Sequence, residues 1–248
     1  GINDAATIGG TSTGGATEDT SDAAGTLTIS DTDTGQATFT AVSTETASVS
    51  GYGTYTITSG GVWAYTLTDS NSAVQALAAA ATMSDTFVVT SSDAGTSQTV
   101  TVTITGINDA ATFAGDTTGG ATEDTSDASG TATVADTDTG QATFTAVSSA
   151  ANSIGGYGTY TITTGGVWAY TLTDSNSAVQ ALAAGATLSD TFSVTSSDGT
   201  AQTITITITG INDAATIGGT STGGATEDTS DAAGTLTISD TDTGQATF

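Results

Sequence analysis

Apolar side chains alternate with threonine, serine or glycine in short segments throughout the chain. A period of two is typical of β-strands that bury one face and expose the other, and threonine suits the exposed face. The alternation predicts strands that carry Leu27 and Ile29; Tyr55 and Ile57; Trp63, Tyr65 and Leu67; Phe87 and Val89; and Val100, Val102 and Ile104. The chain is therefore predicted to be all-β.

One segment departs from this alternation. Asn71 to Ala81 is rich in alanine and has Val74 and Leu77 at helical spacing, which predicts a short helix or turn between two strands. About seven strands per hundred residues, separated by Gly and Asp turns, indicate an immunoglobulin-like β-sandwich. Trp63 and its counterpart Trp168 are most simply core residues, and a sugar-stacking role is the alternative.

The whole pattern is repeated along the chain. The sequence Gly-Ile-Asn-Asp-Ala-Ala-Thr begins at Gly1, Gly106 and Gly210, which gives a period of about 105 residues. This period is too long for one turn of a solenoid and matches one small domain. We expect tandem immunoglobulin- or cadherin-like β-sandwich repeats at 1–105 and 106–209, followed by a partial repeat at 210–248.

The partial repeat copies the start of the chain. Residues 210–248 are identical to residues 1–39, and the copy stops before the strand that would carry its tryptophan. Because such a fragment cannot bury a sandwich core alone, we expect the array to continue in a longer parent chain.

The charge balance is extreme, with 26 Asp and Glu residues and no Lys, Arg or His. Carboxylates that folding brings together would repel one another unless a metal ion binds between them. Without cationic side chains, binding to nucleic acid or to anionic lipid is not expected. No apolar run is long enough to insert into a membrane. Adaptation of the whole surface to salty water is the simpler alternative explanation of the charge.

The acidic residues occur in blocks that follow predicted strands and recur with each repeat. Successive strands of a sandwich alternate in direction, so these blocks should collect at the two ends of each repeat. End-to-end stacking would then bring the acids of adjoining repeats together. The first such site is expected to gather Glu18, Asp19, Asp69, Asn71, Asn108, Asp109, Asp136, Asp138 and Asp198. The second is expected to gather Glu123, Asp124, Asp174, Asn176, Asn212, Asp213, Asp240 and Asp242. The opposite end of the first repeat carries Asn3, Asp4, Asp31, Asp33 and Asp93.

These side chains offer oxygen ligands only. Ca²⁺ accepts six to eight oxygens in flexible geometry, whereas Zn²⁺ prefers His or Cys and Mg²⁺ keeps its waters. Calcium is therefore the expected ion. Each residue alone is as readily an ordinary turn former, because Asp and Asn favour turns. The prediction depends on their joint placement.

The linker Ile2-Asn3-Asp4, repeated as Ile107-Asn108-Asp109, resembles the cadherin interdomain linker. The whole repeat resembles more closely the bacterial VCBS repeat of giant secreted adhesins. The segments that carry the second resemblance are Ala16–Asp19, Gly53–Ile57, Trp63–Leu67, Ala73–Leu77 and Ile104–Asp109. The resemblance implies calcium between repeats, an extracellular or cell-surface location reached through type I secretion, and a role in adhesion or biofilm. Ala110 and Ala111 replace the Asn and Pro usual after a cadherin linker, which could reduce the ligand set.

A calcium-stiffened stalk or fibre of a cell-surface adhesin or biofilm filament is the function that these features favour. Its partners would be neighbouring repeats of the same chain, and lateral self-assembly into filaments is a variant. A glycan- or protein-binding adhesive module is the alternative. An enzyme is not expected, because the chain has no His, Lys, Arg or Cys for nucleophilic or cationic catalysis.

Overall fold

The computed structural model describes residues 2–248 and divides the chain into two compact units. The first contains the chain as far as Ala110 together with the loop Asp136–Gln141. The second contains Ala111–Ala135 and Ala142–Phe248.

The first unit contains eight strands and one short helix. They are β1 (Thr7–Gly10), β2 (Thr13–Thr17), β3 (Ala23–Ser30), β4 (Val42–Ala47), β5 (Gly53–Ile57), β6 (Val62–Leu67), α1 (Ser72–Gln75), β7 (Thr82–Thr90) and β8 (Ser97–Thr105). A five-stranded sheet has the order β1-β3-β6-β5-β4, and a three-stranded sheet has the order β2-β8-β7. The predicted helix is confirmed, and it is only four residues long.

Strand directions agree with the alternation expected from the sequence. β3 is antiparallel to β6, and β7 is antiparallel to β8. The second strand and the eighth strand run the same way, because β2 pairs with β8 in parallel. The turns that carry acidic residues are therefore distributed over two ends, as predicted.

The core lies between the two sheets and is centred on aromatic side chains. Trp63 and Tyr65 of β6 are fully buried, and Phe87 of β7 is 1% exposed. The Phe87 ring stacks on Tyr55 with centroids 4.2 Å apart and meets Trp63 edge-on at 5.7 Å. Such contacts contribute beyond the area that they bury. The prediction that Trp63 is a core residue is confirmed.

Glycine makes room for this tryptophan. A Cβ on Gly25 would lie 2.5 Å from Trp63 Cζ2, and one on Gly14 would lie 2.7 Å from Trp63 Cη2. The indole N–H donates to the Thr11 carbonyl oxygen at 2.9 Å. Because both positions are glycine, the Trp63 ring fits between the two sheets.

The second unit repeats this architecture. Its elements are β9 (Thr112–Gly115), β10 (Thr118–Thr122), β11 (Ala128–Ala135), β12 (Val147–Asn152), β13 (Gly158–Ile162), β14 (Val167–Leu172), α2 (Ser177–Gln180), β15 (Thr187–Thr195) and β16 (Ala201–Thr209), followed by β17 (Thr216–Gly219) and β18 (Leu236–Ser239). The sheet orders are β12-β13-β14-β11-β9 and β10-β16-β15. Trp168 is fully buried, like Trp63.

Residues 210–248 form only the antiparallel pair β17–β18. Leu236 is 46% exposed, whereas its counterpart Leu27 in the first unit is 1% exposed.

Within residues 2–248, helices are too short and too polar to cross a bilayer.

Candidate metal-binding clusters

The first cluster is built around Glu18, which directly follows β2. Its backbone N–H donates to the Thr105 carbonyl oxygen at 3.0 Å, so the ends of the parallel strands β2 and β8 are joined. Its side chain is fully buried, and Oε2 accepts the Ile107 backbone N–H at 3.0 Å. A carboxylate is thereby fixed beside the predicted Asn108–Asp109 linker.

Further carboxylates of the same unit surround Glu18. The Asp109 backbone N–H donates to Asp138 Oδ2 at 3.0 Å, and the Asp138 N–H donates to Asp136 Oδ1 at 2.8 Å. Burial raises the pKa of Glu18, and the charges of Asp109, Asp19 and Asp138 raise it further, against the hydrogen bond from Ile107. Four other predicted ligands, Asp19, Asp109, Asp136 and Asp138, thus lie in the surroundings of the buried Glu18.

Asp69 and Asn71 lie on the segment that joins β6 to α1. Asp69 Oδ1 accepts the backbone N–H of Asp19 at 3.1 Å. Asp19 itself has φ of 55°, a left-handed conformation that Asp tolerates better than most residues. Asn71 caps α1 by accepting the Ala73 N–H at 2.9 Å, and Gln75 of that helix donates to Asp19 Oδ1 at 3.1 Å. These bonds attach the helix to the acidic turn after β2.

The second cluster repeats this arrangement within the second unit. Glu123 is fully buried and its Oε2 accepts the Ile211 N–H at 3.1 Å. Asp242 is 2% exposed and its Oδ2 accepts the Asp213 N–H at 3.0 Å. Burial, and then the charges of Asp213, Asp124 and Asp242, raise the pKa of Glu123. Asp240, Asp174 and Asn176 make the same bonds as Asp136, Asp69 and Asn71.

A third group lies at the other end of the first repeat. Asn3 Nδ2 donates to Asp93 Oδ2 at 2.9 Å, and the Asp4 N–H donates to Asp33 Oδ2 at 2.9 Å. The Asp33 N–H donates to Asp31 Oδ1 at 2.8 Å. The bond from Asn3 is the largest of several that lower the pKa of Asp93. Each of the five residues predicted for this end therefore makes a hydrogen bond with another of the five.

Asp198, the counterpart of Asp93, belongs to the second unit. Its Oδ2 accepts the Ala111 N–H at 3.2 Å. Burial opposes ionisation of this carboxyl, but hydrogen bonds from Ser196 and Thr200 hold its pKa well below the ordinary value.

Several buried carboxylate oxygens in these clusters have no hydrogen-bond donor. The affected atoms are Glu18 Oε1, Asp31 Oδ2, Asp93 Oδ1, Glu123 Oε1, Asp136 Oδ2 and Asp242 Oδ1. Buried polar atoms are normally satisfied, and a buried anion without a partner is costly. The chain has no cationic side chain that could supply one. The donor set therefore fits a hard cation such as Ca²⁺.

Gln36 was not singled out by the sequence. Its Oε1 is also buried without a donor, three positions after Asp33 in the Asp-Thr-Asp-Thr-Gly-Gln turn. A side-chain amide oxygen is an accepted calcium ligand. Its presence in the turn is visible in the sequence, but its burial is not.

The carboxylates do not form a closed cage by themselves. Within residues 2–248, no group of three or more Asp, Glu, His or Cys side chains lies close enough together to hold a metal ion. Calcium commonly completes its coordination with backbone carbonyls, amide oxygens and water. Binding at these clusters would require such ligands or inward movement of the carboxylates.

Residues 108–210 match the family model of the bacterial cadherin-like domain. The matched segment contains the second sandwich and begins at Asn108, the first polar residue of the predicted linker. It also includes Glu123, Asp174 and Asn176 of the second cluster. No curated protein sequence matches the chain.

Solved cadherin structures are similar to the chain at low sequence identity. A protocadherin gammaB7 structure of domains EC3-6, described as a cis-dimer, is 13% identical over 97% of this chain and 57% of that chain, with a TM-score of 0.51. The human desmocollin-1 ectodomain is 14% identical over 84% of this chain and 42% of that chain, with a TM-score of 0.44. The chain thus spans only part of the length of these cadherins. The protocadherin match supports a cadherin-like fold for the tandem repeats.

Proposed function

We propose that this chain is part of the calcium-stiffened stalk or fibre of a bacterial cell-surface adhesin or biofilm filament, built from VCBS-type cadherin-like repeats. Cadherin-like domains are typically extracellular, and they form an adhesive or structural family rather than a family of enzymes. Secretion by a type I route and calcium as the structural ion belong to the proposal.

The observation that carries the proposal is the pair of buried glutamates. Glu18 and Glu123 are each fully buried, and each has one oxygen without a donor. Burying an unpaired carboxylate costs free energy, and the surrounding acids add to this cost. A bound Ca²⁺ would reverse the sign of these interactions, because the same oxygens become its ligands.

The mechanism follows from electrostatics. Without calcium, carboxylates around the linkers Asn108–Asp109 and Asn212–Asp213 repel one another, and the linkers are free to bend. With calcium, residues before and after each linker coordinate the same ion, so bending the linker would break coordination bonds. An affinity of roughly 10⁻⁴–10⁻³ M would be sufficient outside a cell.

The burial of both tryptophans argues against the alternative of a sugar-binding surface. Trp63 and Trp168 are completely buried, and their indole N–H groups donate to backbone carbonyls. Neither ring can stack on a glycan without unfolding its sandwich.

Small-angle scattering of the chain at 5 mM Ca²⁺, and again with excess chelator, tests the proposal. The account predicts a rigid, extended particle with calcium and a broader distribution of dimensions in chelator. Mg²⁺ at the same concentration is the control and should not restore rigidity. Identical scattering in all three solutions would exclude calcium stiffening.

A further inference from the structure

A buried carboxylate on the core face of each sandwich is unexplained by the metal clusters. Asp85 lies on β7, in the inward-facing alternation between Met83 and Phe87, and is fully buried. Its counterpart Asp190 on β15 is 1% exposed. Since the chain has no cationic side chain, only hydrogen bonds can stabilise these anions.

Five hydrogen bonds converge on the Asp85 carboxylate. The donors are the Tyr65 hydroxyl at 2.9 Å, the Ser48 hydroxyl in a short contact, and the backbone N–H groups of Ser50 at 3.0 Å, Tyr52 at 3.1 Å and Thr86 at 2.7 Å. Burial alone would raise the pKa of Asp85, but these bonds together hold its pKa below the ordinary value. The side chain is therefore an anion around which the loop of residues 48–52 is folded.

The outer side of this loop holds the segment that carries two predicted calcium ligands. The Tyr52 carbonyl oxygen accepts the Thr68 N–H at 2.9 Å, directly before Asp69. The Gly51 carbonyl oxygen accepts Asn71 Nδ2 at 3.3 Å. The loop thus contacts Asp85 on one side and the Asp69–Asn71 segment on the other.

The second repeat has the same contacts with a different loop sequence. Asp190 accepts N–H groups of Gly155 at 2.8 Å and Tyr157 at 3.2 Å. The Tyr157 carbonyl oxygen accepts the Thr173 N–H at 2.8 Å, directly before Asp174. The Gly156 carbonyl oxygen accepts Asn176 Nδ2 at 3.3 Å. Ser50 is replaced by Gly155, yet the backbone N–H of each donates to the carboxylate, so the Ser50 side chain is not needed for this geometry.

We infer that Asp85 and Asp190 are positioning residues for the calcium clusters. Each anion fixes the loop whose carbonyl oxygens orient the Asp69–Asn71 segment or the Asp174–Asn176 segment. The inference rests on the proposed calcium function. Each of these core residues would then affect metal affinity without being a metal ligand.

Asp85→Asn in the full chain tests this inference by NMR. The Ile107 N–H, bonded to Glu18, reports calcium at the first cluster, and the Ile211 N–H, bonded to Glu123, reports it at the second. We expect calcium affinity at Ile107 to fall at least threefold and affinity at Ile211 to stay unchanged. In chelator, the Tyr52 and Thr68 amides should exchange faster with solvent. Asp190→Asn should give the mirror result.

Two further variants keep the test decisive. Val100→Ala removes packing in the same core without touching the loop, so it should lower the melting temperature and leave calcium affinity unchanged. Ser48→Ala removes one donor and replaces Asp85→Asn if that variant does not fold. Loosened loop amides with unchanged affinity at Ile107 would overturn the inference. A wild-type chain whose Ile107 and Ile211 signals ignore calcium would instead overturn the calcium function itself.

Discussion

The backbone N–H of Ile107 donates to Glu18 Oε2 over 3.0 Å, although the two residues are 89 positions apart. Glu123 and Ile211 repeat this bond at 3.1 Å. In each case a buried glutamate directly after β2 or β10 accepts a hydrogen bond from the segment that follows β8 or β16. One oxygen of the glutamate is used for this bond, and the other has no donor.

Calcium should raise the stability of the chain. For a site with an affinity of roughly 0.1–1 mM, 10 mM Ca²⁺ adds about 1.4–2.7 kcal/mol to the free energy of unfolding, since ligand binding to the folded state stabilises it. For domains of this size, the melting temperature should rise by roughly 5–20 °C relative to chelator. Differential scanning calorimetry measures the shift. An equal shift with 10 mM Mg²⁺ would attribute the effect to ionic strength or to nonspecific divalent binding.

Replacing the buried glutamate should have opposite effects with and without metal. In chelator, Glu18→Gln removes a buried charge that neighbouring acids repel, so we expect the melting temperature to rise. In 10 mM Ca²⁺ the same variant lacks a charged ligand, so it should melt below the wild type. Glu45→Gln is a matched control at an exposed acid outside the clusters and should change little in either condition. A variant less stable than the wild type in both conditions would contradict the assigned role of Glu18.

In chelator, the melting temperature of the chain should pass through a maximum as the pH is varied. The pKa values of Glu18 and Glu123 are raised, so burying their ionised side chains lowers the stability at neutral pH. This cost disappears as the pH falls through the raised pKa values and the side chains become protonated. Lowered pKa values of Asp85 and Asp190 mean that their stabilisation exists above the unfolded value of about 3.9 and is lost below it. The melting temperature should therefore rise from pH 7 towards about pH 5 and fall below about pH 4.

Two controls separate these groups from general charge repulsion. The double variant Glu18→Gln, Glu123→Gln should show a smaller rise between pH 7 and pH 5 than the wild type. Saturating calcium should also reduce the rise, because protons then compete with the metal. A melting temperature that decreases steadily from pH 7 in chelator would contradict the burial of these glutamates.

The close approach of Gly25 to the Trp63 ring gives a prediction about packing. Gly25→Ala would place a Cβ 2.5 Å from the Trp63 ring, so the core must shift, and we expect a loss of about 1–3 kcal/mol. Gly15→Ala on β2, the preceding strand in the chain, is the control, because a Cβ there would lie 4.0 Å from the nearest atom. Urea unfolding monitored by tryptophan fluorescence measures both. Similar stabilities for the two variants would mean that the ring is not held as described.

Much of this architecture could be predicted from the sequence. The period of two located the strands, the recurrence of Gly-Ile-Asn-Asp marked the repeats, and alternating strand direction assigned the acidic turns to ends. These features depend on local patterns and on chain direction, which sequence carries directly. The parallel pairing of β2 with β8 is not visible in the pattern, because Gly14 and Gly15 give β2 almost no apolar signal.

The part of the site that sequence reasoning missed lies in the core. Asp85 interrupts an otherwise apolar alternation of Met83, Phe87 and Val89, which was a usable signal. Its partners could not be predicted, because Ser48 and the loop of residues 48–52 reach it only after the two sheets pack together. Which carboxylate oxygens are buried without donors likewise depends on tertiary packing.

The position of an ion at Glu18 tests the account most directly. A crystal structure of the chain grown with calcium, with anomalous scattering to identify the ion, would show it or exclude it. The account predicts a Ca²⁺ peak at about 2.3–2.6 Å from Glu18 Oε1, with further oxygens from Asp109, Asp136 or Asp138 around it. Only water, or no density, beside Glu18 Oε1 and Glu123 Oε1 at saturating calcium would contradict it.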